Sequence, residues 1–376
     1  MRKNLFVRSI AAVSGIVMLA SLAACGDNTS SAGNNSGSTS TEKITGSFSG
    51  AGATSQQAAE EAWISAYMAA NSGANVTYNP TGSGAGVTTF LSGAAAWAGS
   101  DKALSDDEVT QSSDKACANG TTAFDVPVYI SPIAIIFNLK GVSDAGKHIN
   151  LDADTAAKIF DGKIVKWNDP AIANQNKDLT LPDTQITVVH RSDKSGTTQN
   201  FVSYFKDQAP DSWTHELSEN WPDIPGQQSA KGPSGVVPAV KQADGTIGYA
   251  DFSQVGDLGT AAIKVGENYN EISADAGSKV IEDSEIDTSV KGDNRVVVKI
   301  NHATEAKGAY PIVLVSYDIA CPAYKDASTA KFVKSWLTYV TSDEGQKTAS
   351  SAAGSAPLPS NIVKKVTKSI EAIKTK

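Results

Sequence analysis

Three stretches of this chain carry residue types that suit the capture of an oxyanion. They are GAGAT (Gly50 to Thr54), TGSGAG (Thr81 to Gly86) and RSDKSGT (Arg191 to Thr197). Each follows an apolar, strand-like run and precedes a helical pattern. Glycine lets a backbone approach a ligand closely, and Ser and Thr supply hydroxyl donors. A helix that starts just after such a turn presents free N–H groups to whatever lies there. One such turn is ordinary capping chemistry, whereas three in one chain form a pattern. None is a Walker A loop, because no Gly-Lys-Ser/Thr follows, and Gly82-x-Gly84-x-Gly86 lacks the third spacing of a dinucleotide fingerprint.

Two charged residues sharpen the chemistry. Arg191 stands at an expected strand end, where a planar guanidinium can grip two oxygens of a tetrahedral anion. Asp101 follows Gly99-Ser100 at another strand end. A carboxylate repels an anion unless the guest carries a proton. A monoprotonated phosphate or arsenate can donate to Asp101, whereas the fully ionised sulfate or molybdate would set acceptor against acceptor. Asp193, two residues from Arg191, is placed to pair with it. Two alternatives stay open: Asp101 as a cap upstream of Ser105, and Arg191 with Asp193 as a surface ion pair.

Other chemistries find less support. The net charge of −8 and 19% charged residues give no reason to expect nucleic acid or an anionic membrane face as partner. His148, His190, His215 and His302 are scattered singly, so no metal site and no cofactor are expected. A phosphatase with a Ser or Thr nucleophile would need a base beside the hydroxyl. His190 neighbours Arg191, but on a strand it points to the opposite face.

The N-terminus reads as an export signal. Arg2, Lys3 and Arg8 precede an uncharged run from Ser9 to Ala24, which ends Leu22-Ala23-Ala24-Cys25. That ending resembles a lipobox, so residues 1–24 are read as a lipoprotein signal peptide and Cys25 as the lipidation site on the outer membrane face. Residues 25–43, rich in Ser, Gly and Asn, read as a flexible tether. Cys117 and Cys321 remain; outside a cell they form either a disulfide or two buried thiols.

The elements that must position these turns alternate. Helices are expected over Ser55 to Ala70, Val87 to Leu91, from Ser105, Thr155 to Phe160, Thr197 to Phe205, Gly235 to Gln242 and Ala327 to Thr341. Strands are expected at Ile44 to Ser49, Asn75 to Asn79, Trp97 to Ser100, Ile186 to His190, Gly245 to Ala250 and Tyr310 to Tyr317. Asp125 to Leu139 is one long buried strand or a pair broken near Pro132. Residues 265–295 look polar and irregular. Such alternation indicates parallel α/β sheets, which bind ligands at the carboxyl ends of their strands.

GAGAT, GSGAG (Gly82 to Gly86), GSDKALSDDE (Gly99 to Glu108) and HRSDKSGTT (His190 to Thr198) resemble the phosphate-binding loops of the PstS family, the substrate-binding lipoproteins of bacterial ABC phosphate importers. KIFDGKIVKWNDPAI (Lys158 to Ile172), GTIGYADFS (Gly245 to Ser253), YPIVLVSY (Tyr310 to Tyr317) and APLPSNIV (Ala356 to Val363) extend the resemblance nearly to the C-terminus. It implies a type II periplasmic-binding-protein fold, with two α/β lobes joined by two crossover strands around a ligand cleft. Residues 44–131 plus 306–376 would form lobe I and residues 132–305 lobe II. Cys117 and Cys321 would then share a lobe. Carried over position by position, the phosphate ligands are Thr54, Ser55, Ser83, Asp101, Arg191, Ser195, Gly196 and Thr197, with Asp193 supporting Arg191. Ser55 departs from the family, in which Phe commonly stands there. The implied partners are inorganic phosphate, the permease subunits of an importer, and the membrane through Cys25. The expected protein is a monomer and not an enzyme.

Overall fold

The computed structural model describes residues 43–143 and 146–376; Cys25, the leader and the tether up to residue 42 lie outside the described residues. The first part alternates β1 (Gly46–Gly52), α1 (Gln57–Ala70), β2 (Ala74–Asn79), α2 (Ser83–Leu91), β3 (Trp97–Ser100) and α3 (Asp106–Lys115), and β4 (Phe124–Asn138) follows. Next come β5 (Ile149–Leu151), α4 (Ala153–Phe160), α5 (Pro170–Ala173), β6 (Thr187–Arg191), α6 (Gly196–Gln208), β7 (Gln228–Ala230), α7 (Gly232–Gln242) and β8 (Thr246–Asp251). The chain continues through β9 (Gly259–Val265), β10 (Asn268–Asn270), α8 (Ala274–Glu282), β11 (Glu285–Ile286), β12 (Val298–Lys299) and β13 (Val313–Ala320). It ends with α9 (Ala327–Val340), α10 (Asp343–Ala353) and α11 (Ser360–Glu371).

The main sheet runs β2-β1-β3-β13-β4-β8-β6-β7, with β9 also on β4 and carrying β5 and β10. β1, β2 and β3 are parallel, and β13 lies antiparallel between β3 and β4. On the other side, β6 is parallel to β7 and β8. β4 belongs to both halves. Its residues from Phe124 to Pro132 pair with β13, and those from Ile133 to Asn138 pair with β8. The apolar run is therefore one continuous strand, and the proline coincides with a change of partner. Proline is tolerated there because the ladder is already being handed over.

Each half has its own aromatic core. Phe48 stacks on Phe332 at 4.1 Å between centroids, and Tyr67, Trp97 and Trp336 pack around them. In the other half Phe201 stacks on Tyr249 at 4.5 Å, with Phe160, Phe205, Trp213 and Trp221 alongside. Rings of this size dominate the area removed from water, so each half can hold its strand ends at fixed positions.

Several expectations shift. The helix expected from Val87 begins at Ser83, so the second glycine turn is its first turn rather than a preceding loop. The stretch 265–295 is not wholly irregular, since it holds β10, α8 and β11. Residues 285–299, which the resemblance would put in lobe II, reach the first half of the sheet. Val296 N donates to Asp125 O at 2.9 Å, and Arg295 pairs with the Asp125 carboxylate at 2.7 Å, both side chains almost wholly buried. A buried carboxylate at the start of β4 demands a cation, and this segment supplies it. The strand expected from Tyr310 starts at Val313 instead, because Pro311 has no N–H for the ladder. Cys117 and Cys321 are joined by a disulfide, with Cα atoms 5.3 Å apart.

Candidate anion-binding site

β1, β2 and β3 all end toward one place, and β6 brings Arg191 there from the other half. The helices that follow start in different ways. No side chain caps the first turn of α1 or α2, which leaves main-chain N–H groups of both open toward this place. The side chain of Gln56, the residue before α1, is engaged elsewhere. At α6 the Ser195 hydroxyl accepts from Thr198 N, so its own hydrogen stays available.

Asp101 is the centre of the cluster and only 2% exposed. Its Oδ1 accepts from Ser55 Oγ at 2.5 Å and from Ser316 Oγ at 2.6 Å. Its Oδ2 accepts from Thr197 Oγ1 at 2.7 Å. Asp101 N donates to Ser83 Oγ at 3.2 Å, and Asn200 Nδ2 donates to Asp101 O at 2.6 Å. Asp101 is therefore not the cap of α3; Ser105 caps that helix through a reciprocal pair with Glu108. Thr54, the residue before Ser55, has a buried Oγ1 without a hydrogen-bond partner among the described residues.

Arg191 is 4% exposed and gives Nε to Asp193 Oδ1 at 2.7 Å and Nη2 to Asp193 Oδ2 at 2.5 Å. This engages two of the five N–H groups of the guanidinium and fixes its plane. The pair is buried rather than a surface contact. Burial pushes the Asp193 carboxyl up, but the Arg191 hydrogen bonds and charge, with the Gly232 N–H, outweigh it and hold the group below the usual carboxylate range. Tyr249 ties the end of β6 to α6, with its hydroxyl 2.6 Å from Thr198 Oγ1 and 3.4 Å from Arg191 N.

Two glycines allow the halves to approach this closely. Gly82 has φ of +95°, and a Cβ there would lie 2.9 Å from Asp193 Oδ2. A Cβ on Gly196 would lie 2.8 Å from both Asp101 Cβ and Ser83 Oγ. Any side chain at Gly196 would thus separate α6 from Asp101.

Of the ligands expected from the resemblance, Ser55, Ser83 and Thr197 bond Asp101, Gly196 lies against Asp101 and Ser83, and Arg191 with Asp193 lies against Gly82; Thr54 and Ser195 adjoin Ser55 and Gly196 in the chain. His190 stacks on Trp221 at 5.4 Å, away from the hydroxyls, as its strand position requires. Three residues were not foreseen. Gln56, Asn200 and Ser316 lie in helical or apolar runs, where a single polar residue looks like a solvated face or a chance interruption. Ser316 did carry a signal, since it breaks an otherwise apolar strand.

Buried acceptors and donors of this kind are the groups that hold an oxyanion. Comparison with known proteins agrees with the architecture. Residues 37–344 match the PBP superfamily domain. The chain is 36% identical over 381 residues to the "Phosphate-binding protein PstS2" of Mycobacterium bovis, covering 98% of this chain and 99% of that one. It is 32% identical over 331 residues to the "Phosphate-binding protein PstS" of Xylella fastidiosa, covering 85% and 83%. Among solved structures, a high-affinity periplasmic phosphate-binding protein, PfluDING, bound with phosphate, superposes with a TM-score of 0.70 at 22% identity, over 86% of this chain and 93% of that one. A phosphate-binding protein from Stenotrophomonas maltophilia gives 0.67 at 20%, over 86% and 93%. These two carry the two-lobe α/β fold. Identity above a third along almost the whole chain carries more: this protein belongs to the PstS family, within the PBP superfamily.

Proposed function

We propose that this chain captures inorganic phosphate outside the cytoplasm and delivers it to the permease subunits of an ABC importer. The observation that carries this reading is the buried Asp101 carboxylate amid the hydroxyls of Ser55 and Thr197, with the Arg191 guanidinium against Gly82, next to Ser83. A site for a fully ionised anion has no use for such an acceptor. A guest with one acidic hydrogen turns it into a hydrogen bond, and one without meets repulsion worth several kcal/mol, roughly three decades in affinity. In this reading Thr54, Ser83 and Ser195 give hydroxyls, and Ser55, Gly196 and Thr197 give helix-start amides. Arg191 grips two oxygens and Asp193 holds its plane.

The names of the relatives support phosphate as the guest. The lobes proposed are residues 44–131 plus 306–376 and residues 132–305, closing over the anion, with the segment 285–299 of the second packed on the first. Cys25 is the proposed lipid anchor; no helix among the described residues is long and apolar enough to cross a membrane. No turnover is proposed: the relatives are named as binding proteins, and His190 turns to Trp221 rather than to the hydroxyls.

Calorimetric titration of the tether-free protein with phosphate, arsenate and sulfate tests the reading. Phosphate and arsenate should bind and sulfate should not. Equal binding of sulfate and phosphate overturns the role of Asp101, and absence of phosphate binding overturns the function.

A further inference from the structure

The selectivity of the proposed phosphate site depends on how many acceptor positions Asp101 still offers. A carboxylate has about four lone-pair positions, two on each oxygen. Ser55 and Ser316 occupy both on Oδ1, and Thr197 takes one on Oδ2. About one position on Oδ2 is left.

The direction of the Ser316 bond follows from the atoms around it. Gln56 Nε2 lies 2.8 Å from Ser316 Oγ and 3.3 Å from Tyr317 O. A main-chain carbonyl only accepts, so the amide end facing it is the nitrogen, and that nitrogen also donates to Ser316. With its oxygen receiving from Gln56, Ser316 has its single hydrogen for Asp101 Oδ1. Gln56 is held in that pose by Gly99, where a Cβ would lie 2.2 Å from Gln56 Oε1. Gln56 and Ser316 are fully buried and Ser55 is 1% exposed, so bulk water cannot replace any of these donors.

We infer that Gln56, Ser316 and Ser55 are specificity-determining residues, which pin the Asp101 carboxylate so that a single acceptor position faces the guest. None of the three needs to touch the anion through its side chain. Their effect passes through Asp101. A pinned carboxylate cannot turn away from an unprotonated anion, so rejection is enforced. A loosened one can rotate, and the cost of admitting sulfate falls.

This rests on the phosphate reading above, and the experiment separates the two. Phosphate and sulfate affinities are measured by calorimetry for the wild type, Ser316→Ala, Ser55→Ala and Gln56→Leu, with thermal melts to confirm folding. Ser316→Ala and Ser55→Ala should each weaken phosphate by about tenfold, the cost of one emptied buried position. Sulfate should hold steady or gain, so the phosphate-to-sulfate ratio drops by about tenfold or more. Gln56→Leu should move the ratio the same way by less, because Ser316 keeps its hydroxyl but loses its fixed direction. Ser316→Thr and Ser55→Thr, which retain the donor, should restore the ratio. A purely structural role would weaken both anions alike. A ratio within about twofold of wild type in both alanine variants overturns the inference while leaving phosphate binding intact. A wild type that ignores phosphate overturns the function instead.

Discussion

Asn200 Nδ2 donates across the molecule to the main-chain oxygen of Asp101 at 2.6 Å and to Gly196 O of its own helix at 2.9 Å. One amide group therefore ties the start of α6 to the end of β3, independently of any guest. With Thr197 on the Asp101 carboxylate, it is a second bond between the two halves at the same residue.

Asn200→Ala should shorten the life of the closed complex. A hydrogen bond made only when the halves meet slows release and leaves encounter unaffected. In stopped-flow measurements the expected result is phosphate release about fivefold to tenfold faster with an unchanged association rate, matching the loss of a bond worth about 1 kcal/mol. A slower association with unchanged release would place Asn200 outside the closure.

Arg191→Ala should abolish most phosphate binding, since it removes the guanidinium and leaves the partly buried Asp193 carboxylate without its cation. Uncompensated charge of that kind costs about 3–5 kcal/mol. Asp193→Asn is the informative comparison. The cation stays but its plane is released, so affinity should fall by about tenfold, less than for Arg191→Ala, in the same titration. Equal losses would mean that Asp193 does more than orient Arg191.

Replacing Cys117 and Cys321 by Ser should lower the melting temperature without changing phosphate affinity. The bridge joins positions 204 residues apart and sits in a small apolar cluster with Phe90, Leu104 and Ile319. By chain entropy a loop of this size adds about 5 kcal/mol to stability. Thermal melts and calorimetry on the double variant check both halves of the expectation.

Much of this architecture was legible because one rule repeated. Gly50 to Thr54, Thr81 to Gly86 and Arg191 to Thr197 each follow a strand and open a helix, and ligand sites collect at such ends. What was illegible depends on long-range register. Ser316 meets Asp101 only because β13 lies antiparallel beside β3, which sets Tyr317 opposite Ser100. Gln56 looks like any first-turn residue until Gly99 lets its amide lie against β3. Arg295 sits in a polar stretch whose destination is set by a carboxylate at Asp125, far away in sequence. Local patterns reveal elements, whereas partners chosen by a sheet order of this kind leave no local trace.

The stability of the protein should fall as pH rises from about 4 to about 7. Burial pushes the Asp251 carboxyl up to about 7 against the Ser253 and Ser131 hydroxyls, and the charge of Asp101 adds to it. Burial likewise pushes Asp318 up to about 7, opposed by Trp336 and Gln56, while burial and the charge of Asp318 raise Glu60. In the unfolded chain these carboxyls titrate near 4, so between about 4 and 7 Asp251 and Asp318 hold more protons in the folded state. The derivative of unfolding free energy with pH is then negative. The contribution is complete below about 4, is lost through about 7 and is flat above. For a shift of this size the upper bound is on the order of 4 kcal/mol per group. Asp193 and Glu108 act in the opposite sense: their lowered values add stability that is present above about 4 and lost on acidification. Asp251→Asn keeps an oxygen for the Tyr129 hydroxyl, which donates to Asp251 Oδ1 at 3.1 Å, but it cannot ionise. That variant and Asp318→Asn should each flatten the decline in melting temperature between about pH 5 and about pH 8 by several degrees. Melting curves across that range decide the matter: a variant displaced by the same amount at every pH would show that these carboxyls are not the groups that titrate.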